Sequence, residues 1–449
     1  MLSIAFALLL TAITGFSALG PLPEHLAAAE SCLLAAGLVW FALVVRSERE
    51  NEPRPSATTG WILLGAVVLR GVMWVGDPGL SDDIHRYVWE GGLVAEGVSP
   101  YAWAPSDPEL ETYRNAWPST YEGLNHRDVS AAYPPVTQLA HAGVVSLAGG
   151  PAAGAGERAG AALRLFFTLC DLGVCLLLAR WLSRAGRDPR LLVAWAWCPL
   201  VVIEFAGSGH FDSLGILLSV AALTVLASAR GARELAGSAL LAAGVLVKWL
   251  PLAFLAFVAR RRRRRAVATL AFTALGFLPL VFWSGGAAGL FSGTTDYGLR
   301  WESFSFLFRW IEPWMPTVVR DGSLTDPRFL ARALVGAVFV AFIALHLRRG
   351  TELRVACFRT IGAFLLLTPT LHPWYLCWVV PLLVLERNRA WTFAVAFAPI
   401  LYWPLGGWVA RGVWSEPVWL WPAFALPFFA LLALDWRART RSEAALAVS

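Results

Sequence analysis

A chain of 449 residues that is 57% hydrophobic and 15% charged, with a mean hydropathy of +0.59, cannot be solvated as a globule, since soluble domains carry about 25% charged residues. The net charge of +6 would suit a nucleic-acid surface, but the arginines fall in short clusters between apolar stretches. That is the signature of cytoplasmic loops in a membrane protein, so a bilayer and no nucleic acid is expected as partner.

Apolar segments run at 2–19, 28–45, 60–76, 136–149, 160–182, 190–206, 211–229, 236–247, 251–259, 266–284, 329–347, 355–371, 374–386, 391–408 and 418–436. A full crossing needs roughly 20 residues, so several of these are half-helices or paired turns. The expectation is an all-α polytopic membrane protein, a helical bundle of about 12–14 transmembrane helices built as a single domain over 1–449. The first segment has no basic run before it and a poor cleavage site at Gly20-Pro21, which reads as an uncleaved helix. Cys32, Cys170, Cys175, Cys198, Cys357 and Cys377 all lie in apolar stretches without metal-ligand spacing and read as small core residues.

Basic clusters at Arg46 to Arg54, Arg180 to Arg190, Arg230 and Arg233, Arg260 to Arg265, Arg348 to Arg354, Arg387 and Arg389, and Arg437 to Arg441 place their turns in the cytoplasm. The long loops 77–135 and 285–328 then lie on the opposite side. Three apolar segments separate Arg54 from Arg184 where an even number is required, and 136–149 is the weakest, a re-entrant or interfacial piece. Within the first loop, Ile84, Tyr87, Val88 and Val94 have helical spacing over 82–97, predicting an amphipathic helix on the membrane surface.

The sharpest chemistry lies in Ser81-Asp82-Asp83-Ile84-His85-Arg86-Tyr87-Val88-Trp89-Glu90-Gly91. Ser81 is a good helix N-cap, and two carboxylates in a first turn favour the helix dipole without any further role. Against that, Asp82, Arg86 and Glu90 recur at i, i+4 and i+8 and share one helical face. A carboxylate beside a guanidinium suits general-base activation of a hydroxyl next to a bound phosphate.

The run SDDIHRYVWEGGLVAEGVSPYAWAP resembles the first extracytoplasmic loop of bacterial GT-C glycosyltransferases that use polyprenyl-phosphate sugars, in particular their mannosyltransferase branch. Glu204 to Asp212, Lys248-Trp249-Leu250-Pro251 and Thr368 to Tyr375 agree with that resemblance in the same order along the chain. His85, Glu90 and Ser99 depart from it, standing where Tyr, Asp and Asn are common. The resemblance implies a membrane enzyme of the bacterial inner membrane with its active site on the extracytoplasmic face. It further implies inverting transfer of a hexose, mannose above all, from a polyprenyl-phosphate donor to a hydroxyl of a lipid or glycan acceptor. An acid of the first loop would be the base, which carries over to Asp82 or Asp83; Asp82, on one helical face with Arg86, is the favoured of the two, with Asp83 capping or orienting the helix.

A phosphate leaving group needs fixed cations. Lys248, far from the basic clusters, is the candidate for the donor phosphate, against a snorkelling interface lysine. His210 and His372, at two outer turns, are candidate donors to phosphate or sugar, with Asp212 orienting His210; a glycine turn with a capping Asp is the plainer reading. Arg300 is a candidate second phosphate contact, and the stripe Phe304, Phe306, Phe308 and Trp310 is expected to seat the second loop in the membrane interface. Arg70, Arg164, Asp171 and Glu204 lie in or beside apolar segments and are expected to lock helices together. Adjacent acids could hold a divalent metal, but a monophosphate donor needs less neutralisation, so no essential metal is expected. The competing class is a secondary transporter or flippase of a lipid-linked or anionic substrate, against which stands the lack of an internal repeat.

Overall fold

The computed structural model describes residues 2–20, 25–47, 57–76, 79–152, 154–228, 230–315 and 326–448, with the side chains of 57, 228, 300 and 439–448 left aside. The start of the first expected loop, residues 316–325 of the second, and Arg49 and Arg54 lie outside the described residues. The described chain is helical and contains no strand. Its principal helices are α1 (Leu2–Ala18), α2 (Leu26–Ser47), α3 (Ala57–Met73), α4 (Asp83–Ala95), α5 (Pro135–Leu147), α6 (Gly156–Arg184), α7 (Asp212–Ser228) and α8 (Ala232–Val245). They are followed by α9 (Arg263–Trp283), α10 (Ala287–Arg300), α11 (Pro327–Arg348), α12 (Leu353–Leu367), α13 (Arg389–Phe397), α14 (Trp403–Arg411) and α15 (Leu420–Val448).

Among the described residues, six stretches are long and apolar enough to cross a bilayer: α2, α6, α9, α11, α13 continued through α14, and the first part of α15. A seventh, Pro189–Ala196 with Pro199–Gly207, is bent by 51°, and α1, α3, most of α7 and Pro373–Leu383 are shorter apolar helices. Full-length spans are thus fewer than the apolar segments of the sequence, because proline interrupts several of them. Pro199 lacks the N–H that would continue the helix from Ala196, and Pro373 starts a 3₁₀ turn, Pro373–Trp378, in place of an α-helix. Irregular backbone at such depth is tolerated where protein surrounds it, and both stretches lie in the core beside fully buried Trp195, Trp197 and Phe205.

The α4 helix starts where the Ser81 hydroxyl accepts the Asp83 N–H, and ends at Gly97, whose φ of +76° closes the turn with Val98 N–H donating to the Leu93 carbonyl at 2.8 Å. It does not lie on a surface. Tyr87 and Val88 pack on Val145, Leu163 and Phe167, while Trp89 and Leu93 pack on Leu110, Trp117 and Leu124, so protein covers both faces. Gly91 permits this approach, since a Cβ there would come within 2.8 Å of the His141 backbone in α5. Both ends of α5 also touch loop neighbours: Val136 N–H donates to the Leu246 carbonyl, and Thr120 Oγ1 to the Pro151 carbonyl after the helix. The 136–149 segment therefore forms a hairpin with α4, and among the described residues between Arg54 and Arg184 α3 and α6 connect the two ends of the bundle.

The basic turns collect at one end. Arg264 and Arg265 hold Glu234 at 2.7 and 3.0 Å, Arg265 reaches the Leu226 carbonyl, and Arg354 meets Glu386 at 2.9 Å. From there α7 and α8 form a hairpin whose opposite end carries Asp212 and Lys248. Arg70 binds Asp171 through two contacts of 2.8 and 2.9 Å, with Trp195 Nε1 donating to the same carboxylate, which ties α3, α6 and the bent pair together as an ionic lock.

The second loop differs from expectation. Phe304, Phe306 and Phe308 are buried in the bundle, the first two against Phe424, and only Trp310 of the stripe is exposed. The backbone is without helix over 301–305, where Leu371 N–H donates to the Phe304 carbonyl at 2.9 Å, and turns into a short helix at Phe308, which packs on Ala331 and Val335.

Candidate active site

At the end of the bundle opposite the basic turns, a cavity of about 700 Å³ opens between the first loop, the end of α8, α10 and the His372 turn. Asp82, Asp83, Arg86, Lys248 and His372 line it, with Trp301 and Tyr375. A separate wall is made by Leu401, Leu405, Trp408, Val409 and Trp414 and is almost wholly apolar.

Both candidate bases of the first loop, Asp82 and Asp83, reach the cavity, in different settings, and Asp128 lines it as well. Asp82 is exposed and accepts from Asn125 Nδ2 at 2.6 Å. Asp83 is half-buried, 3.4 Å from the Tyr87 hydroxyl that donates to it and 3.8 Å from His210 Nδ1. Burial, with the Asp82 charge beside it, pushes the Asp83 carboxyl up to about 6. Arg86 does not turn to Asp82. Its guanidinium donates to Glu90 Oε1 at 3.3 Å and to the carbonyls of Asn125, His126 and Val129 at 2.7–3.1 Å, clamping that loop over the site. Glu90, buried behind it, accepts from Gln138 Nε2 at 2.6 Å, so the face shared by Asp82, Arg86 and Glu90 serves mostly to fasten the loop.

Lys248 Nζ sits 2.6 Å from Asp212 Oδ1 and 4.2 Å above the Tyr375 ring, with its side chain 21% exposed to the cavity. Asp212 is fully buried behind it and also accepts from Trp378 Nε1 at 2.5 Å. Asp212 thus anchors the ammonium and does not orient His210. His210 is also fully buried, outside the cavity wall, with Nε2 3.3 Å from Glu204 Oε2 and Nδ1 3.3 Å from the Tyr87 hydroxyl.

Its ring stacks on Trp374, which stacks in turn on His372, with centroid separations of 4.1 and 4.4 Å. Burial and the nearby Lys248 charge hold His210 well below the ordinary histidine range and bring His372 to about 3, so both imidazoles are neutral near pH 7. The Arg300 side chain lies outside the described residues. Among the described residues no group of three or more His, Cys, Asp or Glu converges as a metal site would require.

Glu204, which the sequence assigns to locking helices ahead of any catalytic role, lies directly behind the cavity, in a π-helical turn, Ile203–Gly207, and accepts from the Tyr402 hydroxyl at 2.5 Å. Nothing in the spacing of the sequence pairs Glu204 with Tyr402, 198 residues away. The isolated carboxylate in an apolar stretch, followed by Gly207 and Gly209, was the available signal.

A family model described as alpha-(1->6)-mannopyranosyltransferase, N-terminal domain, matches residues 10–262, more than half of the 449. The matched region carries every cavity residue from Asp82 to Lys248, while His372 and the apolar wall lie beyond it. No curated protein and no solved structure matches the chain.

Proposed function

Because the chain belongs to the alpha-(1->6)-mannopyranosyltransferase family, we propose that it transfers mannose from a polyprenyl-phosphate donor to a hydroxyl of a lipid or glycan acceptor, inverting the anomeric carbon, on the extracytoplasmic side of a bacterial inner membrane. One observation carries this reading: a single cavity presents a half-buried carboxylate, a fixed ammonium and an apolar wall together. The wall suits an isoprenoid chain. Lys248 suits the phosphate, since its ammonium has one protein acceptor in Asp212 and donors to spare toward the cavity.

In this reading Asp83 is the general base. A carboxylate near 6 is a stronger base than an ordinary aspartate yet still ionised at pH 7, which is the compromise general-base catalysis favours. It takes the proton of the acceptor hydroxyl as that oxygen bonds to the anomeric carbon. The bond from that carbon to the phosphate oxygen breaks on the opposite face, and the electron pair leaves on the phosphate beside Lys248. Asp82, exposed and held by Asn125, is assigned to the acceptor at the mouth.

Transfer from polyprenyl-phosphate mannose, followed with Asp83→Asn and Asp82→Asn, tests the assignment. Asn keeps shape and removes basicity, so Asp83→Asn should lower transfer by about a hundredfold or more with donor binding retained. Loss in Asp82→Asn alone would exchange the two roles, and full turnover in both would overturn the mechanism.

A further inference from the structure

Behind Asp83 runs a line of buried polar groups that the transfer step itself does not touch: Tyr87, His210, Glu204 and Tyr402. Glu204 and His210 are fully buried, and neither Glu204 Oε2 nor His210 Nε2 has a hydrogen-bond partner as placed, although the two atoms lie 3.3 Å apart. Two buried heteroatoms 3.3 Å apart, each otherwise unpaired, need a proton between them. An ionised Glu204 facing a neutral His210 could take the Nε2 proton, but the Nδ1 lone pair would then point at the Asp83 carboxylate and compete with it for the Tyr87 hydroxyl. The other arrangement satisfies every group. Tyr402 donates to Glu204 Oε1, a protonated Glu204 donates to His210 Nε2, His210 Nδ1–H faces Tyr87 and Asp83, and Tyr87 donates to Asp83.

We infer that Glu204 is a positioning residue that acts through His210, its carboxyl O–H donating to the Nε2 lone pair so that the ring proton stays on Nδ1 and Nδ1–H and the Tyr87 hydroxyl both point at the general base. The inference rests on Asp83 being that base. The chain polarity keeps Asp83 ionised and directs its remaining lone pairs into the cavity. The local backbone supports the arrangement: the π turn carries Glu204 inward, and the His210 N–H donates to the Glu204 carbonyl at 3.0 Å, fixing the two residues against each other. The charged and titratable groups facing the pair are Asp83 and Tyr87 of α4, Tyr402, and at longer range Lys248, Asp212, His372 and Cys377.

Glutamine at 204 can donate from its amide to His210 Nε2 and accept from Tyr402 with its carbonyl, but it cannot ionise; leucine can do neither. In a transfer assay with the full chain in detergent or vesicles, Glu204→Gln should lower kcat less than about fivefold, whereas Glu204→Leu should lower it more than about thirtyfold with KM for the donor little changed. The wild-type rate should also fall at alkaline pH as the shared proton is lost, and that limb should vanish in Glu204→Gln. Equal losses in both variants, or an alkaline limb that Glu204→Gln leaves in place, would overturn the inference. Asp83→Asn in the same assay keeps the two ideas apart. If it is inactive while the Glu204 pattern fails, only the relay is wrong; if it is active, the base assignment falls first.

Discussion

At the residue scale the site works by contrast between neighbours. Asp82 and Asp83 are adjacent and identical in type, and one turn of backbone sends the first to the mouth and the second inward toward Tyr87. Helical spacing pairs Asp82 with Arg86, which is why the sequence favours Asp82 as the base, but loop carbonyls 39–43 residues away occupy the guanidinium instead. Such long-range acceptors leave no trace in local spacing. The Asp83 carboxyl is raised to about 6, and the base must be ionised. Transfer should therefore be level just above that pH and fall about tenfold per unit below it, as a rate profile from pH 5 to 8 will show. Lys248 is legible as a lone cation, but its partner Asp212 is not. Removing the lysine alone leaves a buried carboxylate without its counter-charge, which costs several kcal/mol in folding. The pair Lys248→Met with Asp212→Asn removes both charges. It should extract normally and still lose roughly ten- to a hundredfold in donor use, the worth of a charge-assisted phosphate contact; full turnover at limiting donor would return Lys248 to the snorkelling reading.

At the element scale the turn between the bent pair and α7 sets the register of His210. Gly209 has φ of +73°, and a Cβ there would lie 2.7 Å from Arg164 Cγ. Arg164 cannot easily retreat, because its guanidinium donates to the Ala206 and Met73 carbonyls at 3.0 and 2.9 Å. Gly97, at φ of +76°, has open space around the same position. Gly97→Ala should therefore cost only the left-handed backbone penalty of about 1–2 kcal/mol, whereas Gly209→Ala adds a clash and shifts His210. Thermal unfolding in detergent should show the larger fall in Tm for Gly209→Ala, accompanied by a loss of transfer that Gly97→Ala does not share. Sequence periodicity locates α4 within a residue or two but assigns it to the membrane surface. Its polar positions, Arg86 and Glu90, are buried by pairing with each other and with Gln138, and an amphipathic pattern cannot distinguish that from exposure to water.

At the scale of the whole molecule, hydropathy and the arginine clusters make the helical bundle and its two ends readable. The number of crossings is harder to read, because proline-broken segments such as 190–206 and 374–386 have the composition of spans and the backbone of turns. The hairpin of α4 and α5 removes one apparent crossing between Arg54 and Arg184 and leaves two, α3 and α6, so the basic turns can all share a side. This predicts one topology. The first loop, Lys248 and His372 face away from the cytoplasm, and Arg260 to Arg265 face it, since arginine-rich turns resist translocation. Glu109 is exposed in the first loop and Arg263 is exposed in the basic turn, so a cysteine at either place is accessible to a membrane-impermeant thiol reagent. Of the six native cysteines five are buried and Cys32 is partly so, and replacing them gives a silent background. Glu109→Cys should be labelled in intact cells with the outer membrane permeabilised, and Arg263→Cys only after the inner membrane is opened. The reverse pattern would put Asp83 and Lys248 on the cytoplasmic side and with it exclude a donor presented from the outer leaflet.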